Sequence, residues 1–256
     1  MKHKYFLSLL VVLVPAIVLV FLEIFYFNPR MIYVILVLVN LSIFLAIWQF
    51  SKASEGENNW LNFMILPCLM SIATVSYSIL LSSRLFIQLL FIFYVILLYT
   101  YLRYAYYYLA RPGSYTAFSI ENISSYGNFL TFFLISATIF GLKSFLNISV
   151  WILIIALLIA SGLIVYQIIW ANAVNIKKGA IFIFISSLII LELFWAAFFL
   201  PINHNAAGLA MAICYYMLIG LVRHFLIDKL DVKKAKLYLG FGLTSLFIIL
   251  VTARWL

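Results

Sequence analysis

The sequence predicts an all-α fold, a polytopic transmembrane helical bundle, and three observations carry that reading. Hydrophobic residues fill 68% of the 256 positions and charged residues only 9%, whereas soluble domains run about 45–50% apolar and about 25% charged. Mean hydropathy is +1.21. The apolar residues gather into nine runs, near 5–27, 31–51, 60–82, 85–110, 126–146, 148–173, 179–200, 206–227 and 237–255. Each run approaches the ~20 residues that cross about 30 Å of hydrocarbon as a helix. Transmembrane β-strands are about ten residues long and alternate in polarity, which these runs do not.

The third observation is where the basic residues lie. With the N-terminus in the cytoplasm, the inner segments carry Lys2, Lys4, Lys52, Arg103, Arg111, Lys177, Lys178, Arg223, Lys229, Lys233, Lys234 and Lys236. The outer segments carry Arg30, Arg84, Lys143 and Arg254. This bias is the positive-inside pattern, and it puts the C-terminus outside. The net charge of +9 is therefore a topology signal, and no nucleic-acid partner is expected. Lys2, His3 and Lys4 ahead of an apolar run resemble a signal peptide. No small-residue cleavage site follows, so an uncleaved first helix is expected.

The spans differ in their polar content. Span one holds Pro15, which removes a backbone donor and bends a helix. Glu23 lies about one turn from its outer end, within reach of the interface and of Arg30. Span two carries Asn40 near mid-depth. The turn SKASEGENN that follows is short and solvated. Span three has Pro67, then Ser71, Thr74, Ser78 and Ser82 at a spacing that sets all four on one helical face. Such a face serves helix packing or a polar path through the bundle. Span four ends in an aromatic run from Tyr94 to Tyr108 around Arg103, as expected of interfacial anchors.

The segment RPGSYTAFSIENISS leads to spans five and six, with Lys143 in the turn between them. Gln167, Trp170, Asn172 and Asn175 mark the inner end of span six. Span seven brings Ser186, Ser187, Glu192 and Trp195. Gly208, Ala212 and Gly220 give span eight a small-residue edge that admits a second backbone. The turn RHFLIDKLDVKKAK, residues 223–236, is the most basic segment. It is expected to attract membrane lipids with anionic headgroups. Arg254 and Trp255 close span nine at the outer interface.

A single membrane domain, 1–256, is expected. Shifting the chain by about 120 residues lays spans one to four over spans five to eight. This gives a candidate four-helix repeat, 5–110 and 126–230, with 237–255 left over. Residue identity under that shift is poor.

The chemistry of familiar active sites is missing from the pattern. His3, His204 and His224 fall on different membrane sides, so they cannot share a metal with ligand spacing. Cys68 and Cys214 lie in opposite membrane halves, too far apart for a disulfide. They read as small apolar residues. His224 and Asp228 stand four apart and read as a surface pair. There is no glycine-rich phosphate loop, and no mid-membrane lysine for a Schiff base. No catalytic residue, metal or cofactor is expected, and an enzyme is disfavoured.

Glu192 is the sharpest polar signal. A charged side chain at a bilayer centre costs roughly 2.5–3.5 kcal/mol on insertion scales, and Glu192 lies about 12 Å below the outer boundary at ~1.5 Å per residue. A carboxyl kept from water favours its neutral form, and a proton-coupled carrier needs such a group. The other reading is a hydrogen-bonded acid knitting helices together. Trp195, Asn203, His204 and Asn205 stand near the outer mouth above it.

The segments LELFWAAFFLP, YYMLIGLVRHFL and TARWL resemble a group of multi-pass proteins of unassigned activity from reduced-genome, uncultivated bacterial lineages. The likeness covers roughly the last 70 residues. It implies a bacterial inner-membrane setting and no particular chemistry. The leading expectation is small-solute binding or transport, with a protonatable Glu192 lining an outward-half cavity. The alternative is a non-catalytic scaffold subunit of a cell-envelope assembly. A lipid-modifying intramembrane enzyme ranks behind both.

Overall fold

The computed structural model describes residues 2–53, 59–117, 119–172, 174, 176–226 and 230–253, with side chains from residue 6 onward except those of 176–178. Nine α-helices follow in order among the described residues: α1 (Lys2–Phe27), α2 (Ile32–Lys52), α3 (Asn62–Ser78), α4 (Arg84–Ala110), α5 (Ser119–Leu146), α6 (Val150–Ala171), α7 (Ile176–Phe198), α8 (His204–Leu226) and α9 (Val232–Thr252). Two 3-10 turns, Pro29–Met31 and Pro112–Ser114, each begin with a proline. A proline loses nothing there, because the first amides of a helix have no internal acceptor.

Among the described residues, eight of the nine helices are long and apolar enough to cross a membrane. Span three is where the nine expected full-length rods fall short. As α3 it has 17 residues, about 25 Å at the α-helical rise. Polar residues flank it at both ends, with Asn59 before it, Asn62 as its first residue, and Ser82 and Ser83 after it. Tight i→i−3 bonds extend it: Phe63 and Met64 amides donate to Trp60 and Leu61 carbonyls, and Leu80 and Leu81 amides to Tyr77 and Ser78 carbonyls. Such 3-10 turns are usual at helix ends.

The chain divides into two compact units, residues 1–127 and 128–256, with the boundary inside α5. In the first unit α1 packs on α2 and α4, α2 on α3 and α4, and α3 on α4. α3 is the enclosed helix, with eleven of its 17 residues buried. Phe63 of α3, Phe50 of α2, and Phe91 and Tyr94 of α4 are among the largest fully buried side chains of this unit. Leu66 sits against the open side of Gly127, where a methyl group would lie 2.9 Å from Leu66 Cδ2.

In the second unit α6 packs on α7 and α8, α7 on α8, and α8 on α9. α5 joins α8 at closest range where Gly208 meets Ala137; a methyl on Gly208 would lie 2.7 Å from the Ala137 Cα. Phe132 stacks on Tyr215 at 4.5 Å, and Phe140 leans on Phe194 at 4.9 Å. The small-residue edge of α8 thus serves two neighbours. Gly208 admits α5, and Gly220 admits the ring of Tyr238 from α9. α9 is peripheral, with Gly242 its one buried residue. Asn147 directly follows α5, and its φ of 48° is left-handed, a conformation asparagine tolerates better than most side chains. Its Oδ1 accepts from Lys143 Nζ at 2.8 Å.

Candidate functional site

The polar face foreseen on span three is present in part. Ser71, Thr74 and Ser78 are all buried. Ser71 Oγ donates to Asn40 Oδ1 at 3.0 Å and lies 2.8 Å from the Cys68 carbonyl. Asn40 in turn donates to the Leu36 carbonyl at 2.8 Å, and Ser78 donates to the Val75 carbonyl at 2.7 Å. Of these bonds, the one between Ser71 and Asn40 ties α3 to α2. Ser82 departs from the expectation: the helix has ended four residues earlier, and Ser82 is exposed. Thr74 Oγ1 is buried without a hydrogen-bond partner among the described residues.

Glu23 is half-buried on α1. Its Oε2 accepts from Gln88 Nε2 of α4 at 3.1 Å, a partner the sequence reading did not name. The signal was available, since Glu23 stands four residues before the end of α1 and Gln88 four after the start of α4. Helices that meet at a shared end bring such positions to one depth.

Glu192 is exposed. It belongs to one stripe of α7 with Ile181, Phe184, Ile185, Leu188 and Trp195, all exposed, and the 3.6-residue period accounts for that alignment. The inner face of α7 carries Ser186, Ser187, Ile190 and Phe194 instead. The expected enclosure of this acid among packed helices is therefore not met, because the aromatic and small residues of α7 occupy the inside. Trp195 sits 5.9 Å from Phe199 and 6.5 Å from Trp151 of α6, in an aromatic cluster next to the helix ends.

Asn203 caps α8, its Oδ1 accepting from the Asn205 amide at 2.9 Å, as short polar residues do at helix starts. His204 packs edge-on against Phe145 at 5.3 Å. Asn203, His204 and Asn205 are all half-buried, so this turn is built into the head of α8. In the segment after α4, Tyr115 Oη lies 3.2 Å from Glu121 Oε2 and accepts from the Ile120 amide at 3.2 Å. Burial pushes the Tyr115 hydroxyl above the usual phenol range.

The second unit adds Asn128, Thr131, Ser136 and Tyr215, which the sequence reading did not name, to Gln167, Ser186 and Ser187, which it did. Asn128 Nδ2 donates to Gln167 Oε1 at 2.5 Å, fully buried. Asn128 Oδ1, Thr131 Oγ1, Ser136 Oγ, Ser186 Oγ, Ser187 Oγ and Tyr215 Oη are buried without hydrogen-bond partners among the described residues. At the opposite end of α8 from Asn203, His224 Nδ1 lies 2.8 Å from the Gly220 carbonyl and its ring faces Tyr238.

Several residues read from the sequence lie outside the described ones. These are the acidic positions of the 54–58 turn, Asn175, Asp228 with its pairing to His224, Lys229, Arg254 and Trp255, together with the side chains of Lys2, His3, Lys4, Lys177 and Lys178. Among the described residues no group of three His, Cys, Asp or Glu side chains could hold a metal ion.

Long apolar helices with hydroxyl and amide groups turned inward fit a multi-pass integral membrane protein. No protein-family model, no curated protein and no solved structure matches this chain.

Proposed function

We propose that the protein is a non-catalytic subunit of a membrane assembly, and that the α7 stripe around Glu192 is the face on which a partner helix docks. The observation that carries this reading is the exposure of a single acid within an otherwise apolar stripe. Facing lipid, that carboxyl has no group to hydrogen-bond, and the cost of that state selects a neighbour. The partner presents a hydrogen-bond donor or a cationic side chain at the depth of Glu192. A photo-reactive residue at Leu188 should then capture a protein from native membranes. Glu192→Gln should lower the capture, while a probe at Phe247 on α9 is unaffected. Equal capture in the two backgrounds would remove the proposal.

A second reading, a small-solute carrier, is favoured by the buried unpartnered hydroxyls and amide oxygen of the second unit. Buried polar atoms of this kind are commonly satisfied by water or ligand. Glu192→Gln separates the two readings, since loss of proton-coupled flux in liposomes favours the carrier. For topology we propose nine crossings with the N-terminus inside and the C-terminus outside. The twelve-to-four partition of basic residues supports it.

A further inference from the structure

We propose that the groove between the C-terminal ends of α6 and α8 seats one anionic phospholipid, with its phosphate on Arg223. The groove is shallow and open, about 260 Å³ with the solvent at its mouth counted, and its lining includes Val165, Ile169, Asn172, Ile219, Val222 and Arg223. The residue types along its lining change with depth. Asn172 and Arg223 stand at the helix ends, whereas Val165 and Ile219 lie one to two turns deeper. A free phosphate has no use for the deeper apolar track, but an acyl chain does. Arg223 Nε is buried and without a hydrogen-bond partner among the described residues. A guanidinium is the side chain best matched in geometry to phosphate oxygens, and an unpaired buried donor is costly. The neighbouring start of α9 adds exposed Lys233 and Lys236, which draw anionic headgroups to this end of the hairpin. The inference requires the chain to be embedded in a membrane and is independent of what docks on α7.

Native mass spectrometry of the full chain, released from detergent with defined lipid added, tests it. Dioleoylphosphatidylglycerol should be retained one per chain in preference to dioleoylphosphatidylcholine. Arg223→Gln should weaken that retention about fivefold and leave phosphatidylcholine unchanged, while Arg223→Lys keeps most of it. Val222→Phe, which leaves the charge and narrows the apolar track, should also weaken retention of the anionic lipid. Inorganic phosphate at millimolar concentration should not displace the bound lipid. The proposal is overturned if wild type shows no preference between the two lipids, or if phosphate displaces the lipid completely, which marks a small-anion site. It is also overturned if Arg223→Gln lowers stability without changing the preference, because Arg223 then only offsets the negative ends of α6 and α8. Should Arg223→Gln fail to fold, an unchanged affinity in Val222→Phe overturns the proposal alone.

Discussion

The hydroxyl of Tyr101 in α4 donates to the backbone carbonyl of Phe63 in α3 at 3.0 Å. Residue 67 would ordinarily supply the amide for that carbonyl, and residue 67 is proline. A side chain on a neighbouring helix thus replaces the hydrogen bond that the proline removes, in a unit where water is scarce. Tyr101→Phe should cost about 1 kcal/mol. In a Pro67→Ala background the backbone amide restored at that position can donate to the same carbonyl, and the cost of Tyr101→Phe should fall toward zero. Unfolding in a denaturing detergent measures all four corners of this cycle. An undiminished cost in the Pro67→Ala background would mean that Tyr101 acts through packing alone.

Gly208 and Gly240 make a matched pair for a second test. A methyl on Gly208 would lie 2.7 Å from backbone atoms of Ala137, whereas nothing stands within 4 Å of a methyl on Gly240. Gly208→Ala must push α5 and α8 apart, a kind of overpacking that costs about 1–3 kcal/mol. Gly240→Ala gains helix propensity and should stabilise by about 0.5–1 kcal/mol. Thermal melts in one detergent should move in opposite directions. A neutral Gly208→Ala would show that the two helices can slide apart at little cost.

The helical membrane class was legible in the chain because apolar length and basic flanks are local properties, readable without knowing what touches what. Gly208 was legible for the same reason, since small residues at helical spacing announce a close neighbour. The neighbour itself, Ala137, was not. Ser82 misled because spacing extends a helical face for as long as the helix is assumed to continue. The helix stops at Ser78 instead, four residues short of Ser82. Glu192 misled in another way. Charge inside an apolar run says that a partner is needed, but not whether it comes from the same unit, and the rotation of α7 was set by Phe194 and Ser186 seeking the inside. Tyr101 was unreadable as a hydrogen-bond donor, because one tyrosine in a run of them carries no mark of the carbonyl it will meet.

α3 decides the sidedness of everything after it. If it crosses, Ala53 and Ser82 lie on opposite sides of the membrane, and the two chain ends do as well. Single cysteines at these two positions, in a background with Cys68 and Cys214 replaced, should react with a membrane-impermeant maleimide from opposite faces of sealed vesicles. Labelling of both from one face would reduce the crossings to eight and set both chain ends on one side.

Glu192 offers a test in which stability and interaction should part company. A carboxyl enclosed by its own helices loses partners when replaced by leucine, and the isolated protein is then destabilised. A carboxyl facing lipid is a burden on the isolated protein, and leucine relieves it. The stripe that carries Glu192 is otherwise formed by residues such as Leu188 and Trp195, so leucine fits without a new clash. Glu192→Leu should therefore raise the stability of the isolated protein by ~1 kcal/mol while it lowers photo-capture of a partner from position 188. The sign of the stability change is the decisive reading: a loss would put Glu192 among helices of its own chain, and a gain leaves the carboxyl where only another molecule can use it.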